Sequence, residues 1–133
     1  MKAGNFSWEI DYPFPYDDEY FSDATEKLNN APGANLTTHF ANYHMEMKAR
    51  LKTTDYEYLV WQEWKEGFAR YIENLIRTKM KMSPNKTELI RPFDRVGFYE
   101  LGSRYIRALL EADNSLAHNL DKLFHVMFEP RKN

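Results

Sequence analysis

Cysteine is absent from this chain of 133 residues, and its absence excludes several classes of site. A disulfide framework, a zinc knuckle, an iron–sulfur centre and a catalytic thiol all need cysteine side chains. No apolar run approaches the ~20 residues that a membrane-spanning helix requires. The first residues, MKAGNFSWEIDY, also lack the apolar core of a secretory signal. We therefore expect a cytoplasmic protein with no membrane partner.

The sequence motifs of common enzymes are missing as well. No serine lies in a G-x-S-x-G elbow, and the chain has neither a Walker loop nor a G-x-G-x-x-G motif. The spacing of His39 and His44 places them about 140° apart around a helix, rather than on one metal-binding face. We expect no cofactor, no bound metal and no enzymatic activity. The alternative is a metal- or carboxylate-dependent enzyme whose groups come together from distant positions.

Helical periodicity is the strongest positive signal in the sequence. Aromatic and aliphatic residues recur at three- and four-residue steps through residues 54–80, which predicts one long amphipathic helix with a wide apolar face. This face consists of Val60, Trp61, Trp64, Phe68, Tyr71, Ile72, Leu75 and Ile76. The opposite, solvent-facing side carries Glu63, Glu66, Arg70, Glu73 and Arg77. Such a helix needs a large partner surface, and we expect the rest of the chain to be arranged around it.

The remaining segments complete the prediction of an all-α, single-domain helical bundle with four main amphipathic helices. Pro13 and Pro15 interrupt the N-terminus, which predicts an extended acidic, aromatic arm over residues 1–16. Gly97 and Gly102 fall within a helical pattern, which indicates close helix packing. The predicted helices are a short one at 17–29 and the main ones at 37–52, 54–80, 93–112 and 115–128. The predicted core includes Trp61, Trp64, Phe68, Tyr71, Leu75, Leu101, Tyr105, Leu109, Leu116, Leu120 and Leu123.

The charges are segregated along the chain, although the formal net charge is only −2. Between Glu9 and Glu26 the sequence has seven acidic residues and no lysine or arginine. Between Arg77 and Arg107 it has eight basic residues against three acidic ones. Such asymmetry suggests charged partners. Aromatic residues make up 16% of the chain, which is more than a plain Leu/Ala bundle needs and is typical of contact surfaces as well as cores.

These features favour a non-enzymatic binding or assembly protein that acts through protein–protein contacts, as an accessory factor, an inhibitor or a small subunit of a larger complex. The predicted contact residues are Trp8, Tyr12, Phe14, Tyr16, Asp17, Asp18 and Glu19. The alternative for the arm is intramolecular, with the arm lying across the bundle and covering part of the core. A homodimer is a further option, with the Trp61/Trp64 stripe as half of a symmetric seam, although a stripe this wide is more typical of a core.

The second function hypothesis is a small subunit that binds a nucleic-acid backbone through the basic stretch 77–95. Its candidate residues are Arg77, Lys79, Lys81, Lys86, Arg91 and Arg95. Binding through such a patch is independent of base sequence and strongly dependent on salt. Because the acidic arm could instead fold back on this stretch, the two charged segments are also candidates to neutralise each other within the chain.

Overall fold

The computed structural model describes the backbone of residues 6–130 and the side chains of residues 9–130. This part of the chain contains six α-helices, one 3₁₀ helix and no strand, so the predicted all-α class is confirmed. No helix among residues 6–130 is both long and apolar enough to cross a membrane. The α-helices are α1 (Phe6–Asp11), α2 (Glu19–Asn29), α3 (Leu36–Arg50), α4 (Thr53–Lys79), α5 (Arg95–Ala112) and α6 (Leu120–Phe128), with the 3₁₀ helix Asn114–His118 before α6.

Helix α4 is the central element, and its stretch from Asp55 to Glu63 is almost entirely buried. Helices α3, α5 and α6 all contact it. From Asp55 to Glu63, every residue except Glu57 is buried. The prediction that Glu63 lies on a solvent-facing side is therefore wrong, because its side chain is 0% exposed. An amphipathic pattern presumes one solvated face, and no residue from Asp55 to Glu63 is exposed.

Two glycines allow α4 and α5 to cross at very short distance. A Cβ atom added to Gly102 would lie 2.3 Å from the backbone oxygen of Glu63. A Cβ added to Gly67 would lie 2.6 Å from the backbone carbonyl carbon of Gly102. The prediction of close packing is thus confirmed for Gly102. At Gly97 an added Cβ would meet only a leucine side chain at 3.5 Å, which is ordinary contact.

The second half of α4 is much less covered than the first. Leu75 is 44% exposed and Leu120 is 42% exposed, so their predicted places in the core are wrong. Leu75 borders an open groove between α4 and α5. Leu120 is the first residue of α6. Of the other predicted core residues, Trp61, Leu101, Tyr105, Leu116 and Leu123 are buried, whereas Trp64, Phe68, Tyr71 and Leu109 are partly buried.

The prediction for the N-terminus also needs a correction. Residues 6–11 form helix α1 rather than extended chain, and an irregular segment over residues 12–18 follows it. Proline restricts mainly the residue before it, so Pro13 acts on Tyr12 and leaves a helical turn that ends at Asp11 free to form. Residues 1–5 of the predicted arm lie outside the described residues.

Side-chain caps begin α2, α5 and α6, whereas α3 and α4 have none. Asp18 caps α2, Asp94 caps α5 and Asn119 caps α6, each by accepting a hydrogen bond of 2.8–3.0 Å from a backbone N–H two or three residues later. Caps of this kind stabilise a helix by about 1 kcal/mol. The cap at Asn119 also divides the single helix predicted at 115–128 into the 3₁₀ helix and α6.

Candidate functional site

Three aromatic residues of the predicted contact arm, Tyr12, Phe14 and Tyr16, pack in or against the protein's own core. Phe14 is 5% exposed, and its ring centre lies 5.0 Å from that of Phe21. Tyr16 packs against Phe14 with ring centres 4.9 Å apart. Tyr12 stacks on Tyr58 with ring centres 4.6 Å apart. These contacts match the intramolecular alternative, in which the arm covers part of the core, and Phe14 has almost no surface to offer a partner.

The acidic run after the arm stays at the surface. Asp17, Asp18 and Glu19 are all exposed, but Asp18 is engaged as the cap of α2. The side chain of Trp8 lies outside the described residues. Within the described part of the predicted contact set, Asp17 and Glu19 are therefore the members whose side chains are exposed and make no hydrogen bond or ion pair with residues 9–130.

Arg91 leaves the predicted basic surface by pairing with α2. Its guanidinium lies 2.5 Å from a carboxylate oxygen of Asp23 and 2.8 Å from one of Glu26. These hydrogen bonds and charges raise the pKa of Arg91, with the hydrogen bond to Asp23 as the largest cause. The acidic and basic segments therefore do neutralise each other in part, although the acids involved belong to α2 rather than to the arm.

Arg77 and Arg95 are also engaged within the fold. Arg77 pairs with Glu73 on the preceding turn of α4 at 2.9 Å. Hydrogen bonds from Asn85 and Arg77 lower the pKa of Glu73, and the bond from Asn85 is the larger cause. Arg95 is half-buried, and its Nε donates a hydrogen bond of 3.0 Å to the hydroxyl of Tyr99. The guanidinium of Arg77 is thus paired with an acid, whereas that of Arg95 donates one hydrogen bond to a neutral hydroxyl.

Lys79, Lys81 and Lys86 are the unpaired remainder of the basic stretch. All three are exposed, and none makes an ion pair or a side-chain hydrogen bond with another described residue. They lie at the end of α4 and in the segment that leaves it. The basic stretch is therefore divided into three arginines that serve the fold and three lysines that face solvent.

The end of α4 holds Lys81 in an unusual backbone conformation. The N–H of Met82 donates to the carbonyl of Arg77 at 2.8 Å, and the N–H of Lys81 donates to the carbonyl of Thr78 at 3.1 Å. This pair of hydrogen bonds defines a Schellman motif, whose left-handed position is usually glycine. Here Lys81 occupies that position with φ of 60°.

Exposed apolar side chains lie beside these lysines. Ile72, Ile76 and Met80 are spaced four residues apart and therefore line one side of α4. Leu75 and Met82 extend this row, and Met80 is 65% exposed. We call the whole set the basic–apolar surface; it consists of Ile72, Leu75, Ile76, Met80 and Met82 with Lys79, Lys81 and Lys86. The sequence pattern placed Ile72, Leu75 and Ile76 on the apolar face of the long helix and, of these, predicted only Leu75 to be in the core.

A buried histidine–glutamate pair lies in the interior of the bundle. His44 of α3 and Glu63 of α4 are both 0% exposed, and Nε2 of His44 lies 2.8 Å from Oε1 of Glu63. Nδ1 of His44 lies 2.6 Å from the backbone oxygen of Met127 in α6. Because a carbonyl oxygen only accepts hydrogen bonds, Nδ1 carries a proton and donates it. The pair therefore links three helices through one imidazole ring.

Opposing effects act on the pKa of His44. Burial is the largest and disfavours the charged ring, whereas the carboxylate of Glu63 and the hydrogen bonds to Glu63 and Met127 favour it. The result is a pKa raised above the ordinary value of 6.5. No substrate reaches this pair while the bundle is closed, so its role in this structure is to hold helices together. Nothing in the spacing of the sequence relates residues 44 and 63, so the sequence analysis does not predict this pair.

No group of three or more His, Asp or Glu side chains is placed to hold a metal ion in the part of the chain described. No protein-family model matches the chain, and no curated protein or solved structure matches it either. Within residues 9–130, the apolar side chains of the basic–apolar surface are exposed and do not pack against the core.

Proposed function

We propose that this protein is a non-enzymatic binding protein, an accessory factor or subunit, that docks a protein partner on the basic–apolar surface. The observation that supports this proposal is the row of exposed apolar side chains on α4 beside three unpaired lysines. Rows of exposed apolar residues rimmed by polar ones are typical of interaction sites. Protein interfaces have the same composition, with an apolar centre and a polar rim.

The conformation of Lys81 adds a second reason. A non-glycine residue in the left-handed region costs about 1–2 kcal/mol relative to the right-handed helix. Glycine would avoid this cost at the same position of the Schellman motif. A lysine at φ 60° therefore makes the fold less stable than glycine would, and it places a positive charge at the end of α4. Sites at which a sequence breaks a local rule are commonly functional ones.

The same surface fits a nucleic-acid backbone less well than it fits a protein. Interfaces with nucleic acid are more polar and much more positively charged than interfaces between proteins. Here apolar side chains outnumber the lysines, and the three arginines of the predicted basic stretch are engaged elsewhere. A phosphate backbone bound to the lysines would leave Ile76 and Met80 in water, whereas a protein partner would cover them.

The test is capture of partners from a lysate of the native host, with and without nuclease. Two variants remove different halves of the surface: Ile76→Ser/Met80→Ser removes apolar area, and Lys79→Gln/Lys81→Gln removes charge. Two controls make matched changes elsewhere: Leu120→Ser at an exposed apolar residue, and Lys27→Gln at an exposed lysine of α2.

We expect a protein that is captured by the parent and by both controls, that survives nuclease, and that is lost from both surface variants. Recovery that disappears with nuclease would instead support the nucleic-acid hypothesis. Capture that is equal for the parent and both surface variants would show that the partner binds elsewhere and would overturn the assignment of this surface.

A further inference from the structure

A groove of about 380 Å³ opens beside the basic–apolar surface, between the second half of α4, the segment that follows it and α5. Leu75 and Lys86 line the groove and also belong to the basic–apolar surface, so the two features are continuous. The other lining residues are Tyr71, Asn74, Thr78, Pro84, Glu100, Ser103, Arg104 and Arg107. A partner that covers the apolar row therefore also reaches this groove.

The carboxylate at the base of the groove is already fully engaged. Glu100 is buried and accepts hydrogen bonds from Nε of Arg104 at 2.9 Å and from the backbone N–H of Thr87 at 2.9 Å. Arg70 adds a longer contact of 3.4 Å. Two guanidinium groups thus face one carboxylate. Positive charge remains in excess at the groove before Lys86 is considered.

Two further cations on the groove have no partner within residues 9–130. Lys86 and Arg107 are both exposed and make no ion pair or side-chain hydrogen bond there. Arg104 is fixed in place, because its Nη1 donates to Asn29 at 2.8 Å while its Nε holds Glu100. A guanidinium that is already oriented loses less side-chain entropy when it binds an anion.

Three neutral polar side chains of the groove, those of Asn74, Thr78 and Ser103, already donate hydrogen bonds within the fold. The hydroxyl of Thr78 donates to the backbone oxygen of Asn74 at 2.8 Å, and that of Ser103 donates to the backbone oxygen of Glu100 at 2.8 Å. The side-chain amide of Asn74 is bonded to Asn85 through both of its ends. The donors that remain are therefore mainly cationic, which favours a charged anion over a neutral polar group.

We propose that this groove binds an acidic side chain, an aspartate or glutamate, of the same protein partner that covers the apolar row. This inference rests on the proposed function and names the chemistry of the partner: an acidic segment that also carries apolar side chains. Leu75, Tyr71 and Pro84 give the groove apolar walls that suit the methylene groups of a glutamate.

The probe is hexaglutamate, added to isotope-labelled protein while backbone amide shifts are followed by NMR. Hexaglutamine serves as the uncharged control, and a short oligothymidylate serves as the phosphate control. The variant Lys86→Gln/Arg107→Gln removes two cations that make no contact important to the fold. Lys27→Gln is the matched change at an exposed lysine outside the groove.

We expect hexaglutamate to shift amides around Lys86, Ser103 and Arg107, and hexaglutamine to leave them unchanged. Binding should weaken about tenfold in Lys86→Gln/Arg107→Gln, which corresponds to losing roughly 1.4 kcal/mol from two partly exposed charges. It should stay at the parental level in Lys27→Gln. Hexaglutamate binding that is unchanged in the groove variant, or tighter binding of oligothymidylate at the groove, would overturn the inference.

The outcomes separate this inference from the proposed function. If hexaglutamate ignores the groove while Ile76→Ser/Met80→Ser still loses its captured protein, the groove assignment is wrong and the docking surface stands. If the groove binds hexaglutamate but the Ile76→Ser/Met80→Ser variant captures the same proteins as the parent, the apolar row is not the docking surface. The inference that an acidic partner covers that row is then overturned as well.

Discussion

The crossing of α4 and α5 makes a sharp prediction for Gly102→Ala. The added methyl would lie 2.3 Å from the oxygen and 2.8 Å from the carbonyl carbon of Glu63. Both atoms belong to the backbone of α4, so no side chain can rotate away. Because relaxed contacts need roughly 3.5 Å, the two helices must separate by about 1 Å at this point. That movement disturbs the packing of Leu101 and Ile106, which are fully buried beside it.

The magnitude follows from two opposing effects. Overpacking of a core costs about 1–3 kcal/mol, and a clash with backbone belongs at the upper end of that range. Replacing glycine by alanine inside a helix returns about 1 kcal/mol through helix propensity. We therefore expect Gly102→Ala to lower the free energy of unfolding by about 2 kcal/mol. For a domain of this size that corresponds to a fall of roughly 8 °C in Tm.

Gly97→Ala is the matched control, since it makes the same substitution in the same helix. Its added methyl meets only a side-chain atom of Leu89 at 3.5 Å. Only the propensity gain applies there, so the control should be as stable as the parent or up to about 1 kcal/mol more stable. Thermal and urea unfolding followed by circular dichroism measure both variants. The reasoning is refuted if Gly102→Ala unfolds at or above the parental temperature; a variant that fails to fold is the same effect in a stronger form.

Three further predictions concern the buried pair and the end of α4. His44→Leu alone or Glu63→Leu alone should lower the free energy of unfolding by about 3–5 kcal/mol, because each leaves one polar partner buried and unpaired. The double variant His44→Leu/Glu63→Leu should lower it less than either single change. Urea unfolding of the four proteins measures this, and additive losses would contradict a coupled pair. Because the pKa of His44 is raised in the folded state, its stabilising contribution is fully present below pH 6.5 and is lost as the pH rises through the folded value. The free energy of unfolding should therefore fall as the pH rises above 6.5 in the parent, and an equal slope in His44→Leu/Glu63→Leu would assign the effect to other groups. Lys81→Gly should raise the free energy of unfolding by about 1 kcal/mol, because glycine accepts φ 60° without strain. An unchanged Tm in that variant would mean that the lysine is not strained there.

Local patterns were sufficient for the all-α class but not for the surroundings of each helix. The three- and four-residue spacing in α4 indicates that its polar and apolar side chains lie on different sides of the helix. The spacing does not indicate how many other helices pack against α4. Glu63 was assigned to solvent because it lies opposite Trp61, and the structure surrounds that part of α4 completely. The same pattern assigns Leu75 to the core, although it borders an open groove between α4 and α5.

The candidate site was hard to predict for a related reason. An aromatic side chain such as Phe14 gains the same free energy from its own core as from a partner's groove, so composition cannot separate the two. Charges have the same ambiguity, because the pairing of Arg91 with Asp23 spans 68 positions and depends on the tertiary fold. Which lysines remain unpaired is known only after such long-range pairs have formed.

The hydrogen bond from His44 to the carbonyl oxygen of Met127 joins residues 83 positions apart. During translation, His44 and Glu63 are made long before the helix that completes their surroundings. The nascent chain therefore holds a polar pair whose last partner is synthesised 83 residues after His44. We expect chains that stop inside α6 to be removed by cellular proteases, because His44 and Glu63 then stay buried without the carbonyl of Met127 or are exposed by a loosened bundle.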